Sequence, residues 1–138
     1  MPFAGYNRGG RETQKIRIPE IELHWSDWIP RDKFKLDARN DPSGVTPPNE
    51  PGVYEARHVD EEHRLTIGKA SNLRRRIKQG LVKGKLKHST GKRIRAKEDT
   101  NRIVFRRAAT DRPAATEEEL HKRHLTRFGA LPRYTKRT

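Results

Sequence analysis

The stretch LTIGKASNLRRRIKQG, residues 65–80, decides how the chain is read. Leu65, Thr66 and Ile67 predict a short strand, which Gly68 breaks. Ser71 stands where a helix cap belongs. Ala70, Leu73, Ile77 and Leu81 then fall on one stripe at helical spacing. Ser71 to Gly80 therefore predicts a short helix, with Gly80 as its stop. Arg74, Arg75 and Arg76 ride on that helix, so a strand turns through GKASN into a guanidinium-rich segment.

Working outward, GVYEARH (52–58) predicts a strand, VDEEH (59–63) its turn and RLTIG (64–68) the return strand, which makes an antiparallel hairpin. Residues 81–99 are basic and helical around 90–97. RIVFRRA (102–108) predicts a third strand, with Ile103 and Phe105 on one face. Thr110 or Asp111 caps a long helix opened by Pro113 and running to about Phe128. This order predicts an α/β domain of the α+β kind: a small three-stranded antiparallel sheet flanked by helices.

The first 50 residues read differently. Residues 1–14 form a polar, glycine-rich, basic tail expected to be disordered, and 15–50 an arm and linker ahead of a folded domain at 51–138. KIRIPEIEL (15–23) alternates weakly, and 37–52 is dense in Pro, Gly, Asn and Asp, as a loop is. Trp25 and Trp28 either pin the arm onto the core or stack on bases.

A formal charge of +14, from 32 Lys and Arg against 18 Asp and Glu, costs self-repulsion that a polyanion relieves. Phosphate backbones provide that relief and release counterions on binding. Nucleic acid is thus the expected partner, DNA rather than RNA. A membrane is not expected, because no apolar run is long enough to cross one and no signal-peptide core opens the chain. The absence of cysteine excludes disulfides and Cys-based zinc sites and fits a reducing interior. The expected location is cytoplasmic, at the nucleoid in a bacterial cell. Hydrophobic residues make up only 30% of the chain, so the core is expected to be small.

The last predicted helix carries the clearest chemical clue. At about 100° per residue, Ala114, Leu120, Leu125 and Phe128 share a stripe, and Glu117 falls near its middle. Glu118 lies at the edge, while Glu119 points to solvent with Arg123 and Thr126. His121 and His124 fall on the inner stripe, either as satisfied core residues or with a direct role. Acidic residues suit the N-terminal half of any helix. That explains Glu118 and Glu119 but not an inward Glu117, because an inward carboxylate is costly unless it is paired or holds a cation. Tyr54 on the hairpin, an arginine of the RRR helix and Glu117 are together the parts for phosphodiester hydrolysis.

These residues resemble the GIY-YIG nuclease superfamily. GVY (52–54) is similar to its first motif and TIG (66–68) to its second, with Thr66 where the family has tyrosine. GKASNLRRRI (68–77) resembles the family segment that carries an arginine, which falls on Arg76. EEELH (117–121) resembles the pattern that carries the metal-binding glutamate, which falls on Glu117. LPRYT (131–135) resembles the family ending, with Thr135 where asparagine is usual. The resemblance covers about residues 50–135.

It implies a metal-dependent DNA endonuclease with one Mg²⁺ or Mn²⁺ at Glu117 and Arg76 at the scissile phosphate. Tyr54 or His88 would be the base, since some restriction-type members use a histidine after the arginine helix and Thr66 cannot serve. Lys69, Arg74, Arg75, Lys92, Thr66 and Thr135 would contact substrate. Thr135 either replaces the asparagine as a donor or the contact is lost. One site per chain implies a homodimer, or two encounters, on double-stranded substrate. The rival expectation is a degenerate member that binds DNA or RNA without cutting. An RNA-associated basic protein has no use for an inward Glu117.

Overall fold

A computed structural model describes residues 22–33, 46–77 and 90–135. The tail at 1–14, the arm cations Arg8, Arg11, Lys15 and Arg17, most of the 37–52 linker, the predicted helix end at 78–80 and His88 lie outside the described residues.

The sheet has four antiparallel strands, not three: β1 (Ile29–Pro30), β2 (Gly52–His58), β3 (Thr66–Ala70) and β4 (Ile103–Ala109), in the order β1-β4-β2-β3. The extra strand comes from the arm, where Ile29 pairs with Phe105 and Pro30 with Val104. At two residues ending in proline it is too short to show a period of two. The helices are α1 (Leu73–Arg76), α2 (Thr90–Lys97) and α3 (Pro113–Phe128).

β2 lies between β3 and β4 and is buried along almost its whole length, on both faces. Alternation puts Tyr54, Ala56 and His58 on one face and Val53, Glu55 and Arg57 on the other. On the first face, Tyr54, Ala56, Phe105 and Ile103 join Leu73 and Ile77 of the α1 segment, Ile94 of α2, Leu65 and Tyr134 in one apolar core.

On the second face, Glu55 is bound by Arg64 Nε at 2.8 Å and by Arg106 at 2.7 Å. Trp28 lies under the guanidinium groups of Arg57 (4.4 Å), Arg106 (4.6 Å) and Arg64 (5.0 Å), and Trp25 under Arg106 (4.1 Å). The tryptophans therefore pin the arm to the sheet through cation–π contacts.

Three local expectations need correction. Gly68 does not end its strand, because β3 runs through it to Ala70. Its cross-strand partner is Tyr54, and a Cβ at position 68 would sit inside the tyrosine's ring and hydroxyl. Glycine is needed there for close approach, not for a turn. The cap of α1 is Asn72, not Ser71: its side chain accepts from Arg75 N–H at 3.0 Å. Two further amides at that end reach back to the linker, Leu73 N–H to Glu50 O and Arg74 N–H to Pro48 O.

The third correction is at α3. Its cap position is Arg112, with no side-chain cap bond. Pro113 needs no partner there, and Thr110 Oγ1 accepts from Arg112 N–H instead. The buried face of α3 also differs from the apolar stripe. Thr116 and His124 are buried and Leu120 is half-buried, whereas Ala114 is exposed and Leu125 is 48% exposed. Polar bonds to the hairpin, invisible to a hydrophobic pattern, choose this face. Gly129 closes the helix in the left-handed region at φ 74°, with its N–H on Leu125 O. No helix among the described residues is long and apolar enough to cross a membrane.

Candidate active site

α3 packs against β3 and β2, and between it, the β3 edge and the start of α2 lies an open cleft of about 740 Å³. Tyr54 enters from β2, Thr66 and Lys69 from β3, Arg76 from the end of α1, Glu117 from α3 and Thr135 from the C-terminal segment. Six of the ten residues singled out in the sequence thus line one hollow.

The others stand apart from it. Arg74 is occupied structurally: its Nε donates to Pro47 O at 2.9 Å. Arg75 and Lys92 are exposed and do not line the cleft. His88 is outside the described residues. Thr90, Glu118, His121 and Tyr134 also line the cleft without having been assigned to a site. The LPRYT motif could have pointed to Tyr134, and the i, i+4 spacing from Glu117 to His121 could have pointed to the histidine.

Electrostatically the cleft is open. Glu117 is half-buried, and among the described residues its carboxylate meets no hydrogen-bond or ion-pair partner. Arg76 and Lys69 are exposed and likewise unpaired among the described residues. Tyr54 is only 7% exposed. Burial pushes its phenol up, Arg76 pulls it back, and Glu117 pushes it up further. The neutral phenol is therefore favoured.

The cleft's far wall is fixed by Glu98. Tyr134 donates its hydroxyl to that carboxylate at 2.5 Å, and Arg133 binds it at 2.9 Å. Burial pushes the Glu98 carboxyl up, but the bonds from Tyr134 and Arg133 outweigh it and hold the group below its ordinary range. Burial and the Glu98 bond both raise Tyr134. The Oγ1 of Thr135 is buried with no hydrogen-bond partner among the described residues.

The two inner histidines separate in role. His124 has both nitrogens occupied: Nδ1–H donates to Ala130 O at 2.6 Å, and Nε2 accepts from Arg64 N–H at 3.1 Å. Burial holds its pKa below the ordinary value, so it is a neutral structural clasp. Among the described residues His121 has only Nε2 occupied, donating to Ile67 O at 3.1 Å.

Comparison with protein families, with curated proteins and with solved structures finds no match in any of the three.

Proposed function

We propose that the protein is a metal-dependent endonuclease of the GIY-YIG type that hydrolyses phosphodiester bonds in DNA. One observation carries this reading: a phenol, a guanidinium and an unpaired carboxylate, from three different elements, line one open cleft in a strongly basic chain.

The donor set suits a hard cation. Glu117 offers free carboxylate oxygens, and Glu118 lies one residue on. Among the described residues no group of three or more His, Asp or Glu side chains gathers to hold an ion. Mg²⁺ or Mn²⁺ held by Glu117 would thus keep water and phosphate oxygens as its remaining ligands and supply charge neutralisation at the phosphate. Arg76 stabilises the charge that builds on the phosphorus oxygens in the transition state. Tyr54, still protonated, donates a hydrogen bond and orients the reacting group. Lys69, with Arg75 and Lys92 outside the cleft, holds the nucleic-acid backbone by charge. Thr66 and Thr135 line the same hollow.

The test is cleavage of labelled single- and double-stranded DNA in Mg²⁺, Mn²⁺ or EDTA by wild type, Glu117→Ala and Arg76→Ala. Metal-dependent products that vanish in both variants are expected. The competing reading, a module that binds without cutting, draws on a specific pair: Thr66 in a tyrosine position and a Tyr54 held protonated. It predicts salt-sensitive DNA binding in EDTA and intact substrate in every metal.

A further inference from the structure

Hydrolysis at this cleft needs a group to take the proton of the attacking water, and the lining side chains narrow the choice. Tyr54 is a buried, protonated phenol. Thr66 and Thr135 have no basic atom. Lys69 and Arg76 are cations, and Glu117 is committed to the ion. Of the other polar lining side chains, Tyr134 donates its hydroxyl to Glu98 and Glu118 is exposed beside Glu117, which leaves the imidazole of His121. The Ile67 carbonyl can only accept, so the proton of the neutral ring sits on Nε2 and the lone pair on Nδ1. Among the described residues Nδ1 has no partner. One helical turn away, His124 anchors the same helix with both of its nitrogens used.

We propose that His121 is the general base of this cleft, its ring oriented by the Ile67 carbonyl so that Nδ1 accepts the water proton. The inference rests on the hydrolysis reading above. In the step, an O–H bond of water breaks and its proton moves to Nδ1. The water oxygen forms a bond to phosphorus as the bond to the leaving oxygen breaks, and the leaving oxygen takes a proton from solvent. The imidazolium keeps its Nε2–H on Ile67 O, and that bond strengthens as the donor becomes charged. The charged and titratable groups that line the cleft with His121 are Tyr54 from β2, Lys69 from β3, Arg76 from α1, Glu117 and Glu118 from α3, and Tyr134 from the C-terminal segment.

The deciding experiment uses the full chain with Mn²⁺ and labelled DNA. His121→Gln is the informative variant, because the glutamine amide can still donate to Ile67 O but has no basic nitrogen. Its melting temperature and its DNA affinity in EDTA are expected to match wild type, while cleavage falls by about 100- to 10,000-fold. The wild-type rate should level off with rising pH. The variant's rate should instead keep rising tenfold per pH unit as hydroxide replaces the missing base. Added imidazole should restore part of the rate to His121→Ala.

If His121→Gln cuts at the wild-type rate with the wild-type pH profile while Glu117→Ala is dead, the base assignment is wrong and the hydrolysis reading survives. A wild-type rate that never levels off overturns the assignment without any variant. If wild type cuts nothing in any metal, the hydrolysis reading itself falls and the base goes with it.

Discussion

Glu55 and Glu117 are both carboxylates turned inward, on neighbouring elements of one small sheet, and they are treated in opposite ways. Glu55 is 4% exposed at its side chain and bound by two guanidinium groups, with a third beside them and a tryptophan beneath. Glu117 is half-buried beside an open hollow and has no partner among the described residues. The first carboxylate serves the fold, since its charge is spent on fastening the hairpin to β4. The second is left unneutralised, which a protein tolerates where something else arrives to bind it.

The strongest way to break this comparison is to remove Glu55. Glu55→Ala leaves Arg64 and Arg106 without their anion. It should cost about 3–5 kcal/mol in urea unfolding, the penalty for leaving buried charge uncompensated. Glu117→Gln should leave the unfolding midpoint unchanged or slightly raised while lowering cleavage by about 100- to 1,000-fold. If the two variants exchange these effects, the assignment of the two carboxylates is reversed.

The arginine helix offers a second pair. Arg76→Ala should reduce cleavage by about 100- to 1,000-fold with no loss of stability. Arg74→Ala should lose about 1 kcal/mol of stability through its bond to Pro47 O and cut almost normally.

Gly68 lies between fold and site. Gly68→Ala must displace Tyr54, at about 1–3 kcal/mol for overpacking. The loss should shrink in the Tyr54→Ala background, because the clash is with that ring; a double-mutant cycle measures it.

The smallest effect concerns His124. His124 is held below its ordinary pKa of 6.5 in the fold, so the unfolded chain takes up its proton first. Its contribution is present above about pH 6.5 and is lost as pH falls below that value toward the folded pKa. Melting temperature should therefore drop on acidification, and His124→Asn should flatten that part of the profile.

Much of the frame was legible in the sequence. The 52–58 strand, the 90–97 helix and the 113–128 helix follow from local pattern, turn residues and Pro113. Tyr54, Arg76 and Glu117 were also reached from the sequence, and the structure brings them into one cleft. What escaped the sequence depends on long-range partners. The arm's strand β1 is defined by its pairing with β4, not by any repeat of its own. Glu55 looks like an ordinary polar residue in an alternating strand until Arg106, 51 residues on, is folded against it. The sequence placed His121 and His124 inward, as they are, but misjudged Ala114 and Leu125, which the histidines' bonds to the hairpin leave outside. Asn72 outranks Ser71 as a cap because the linker backbone fixes where the helix starts.

The bond from His121 to Ile67 also bears on how the molecule avoids its own kind. β3 is the open edge of the sheet, and an exposed row of strand carbonyls invites another chain to pair with it. On this edge and just before it, three carbonyls are already taken by groups that cannot extend a sheet: Arg64 O by Arg133 N–H, Leu65 O by Tyr134 N–H and Ile67 O by the His121 ring. The opposite edge, β1, is two residues long and ends in Pro30. Both flanks are therefore blunted against strand addition. A concentrated solution of this basic protein should resist fibril formation.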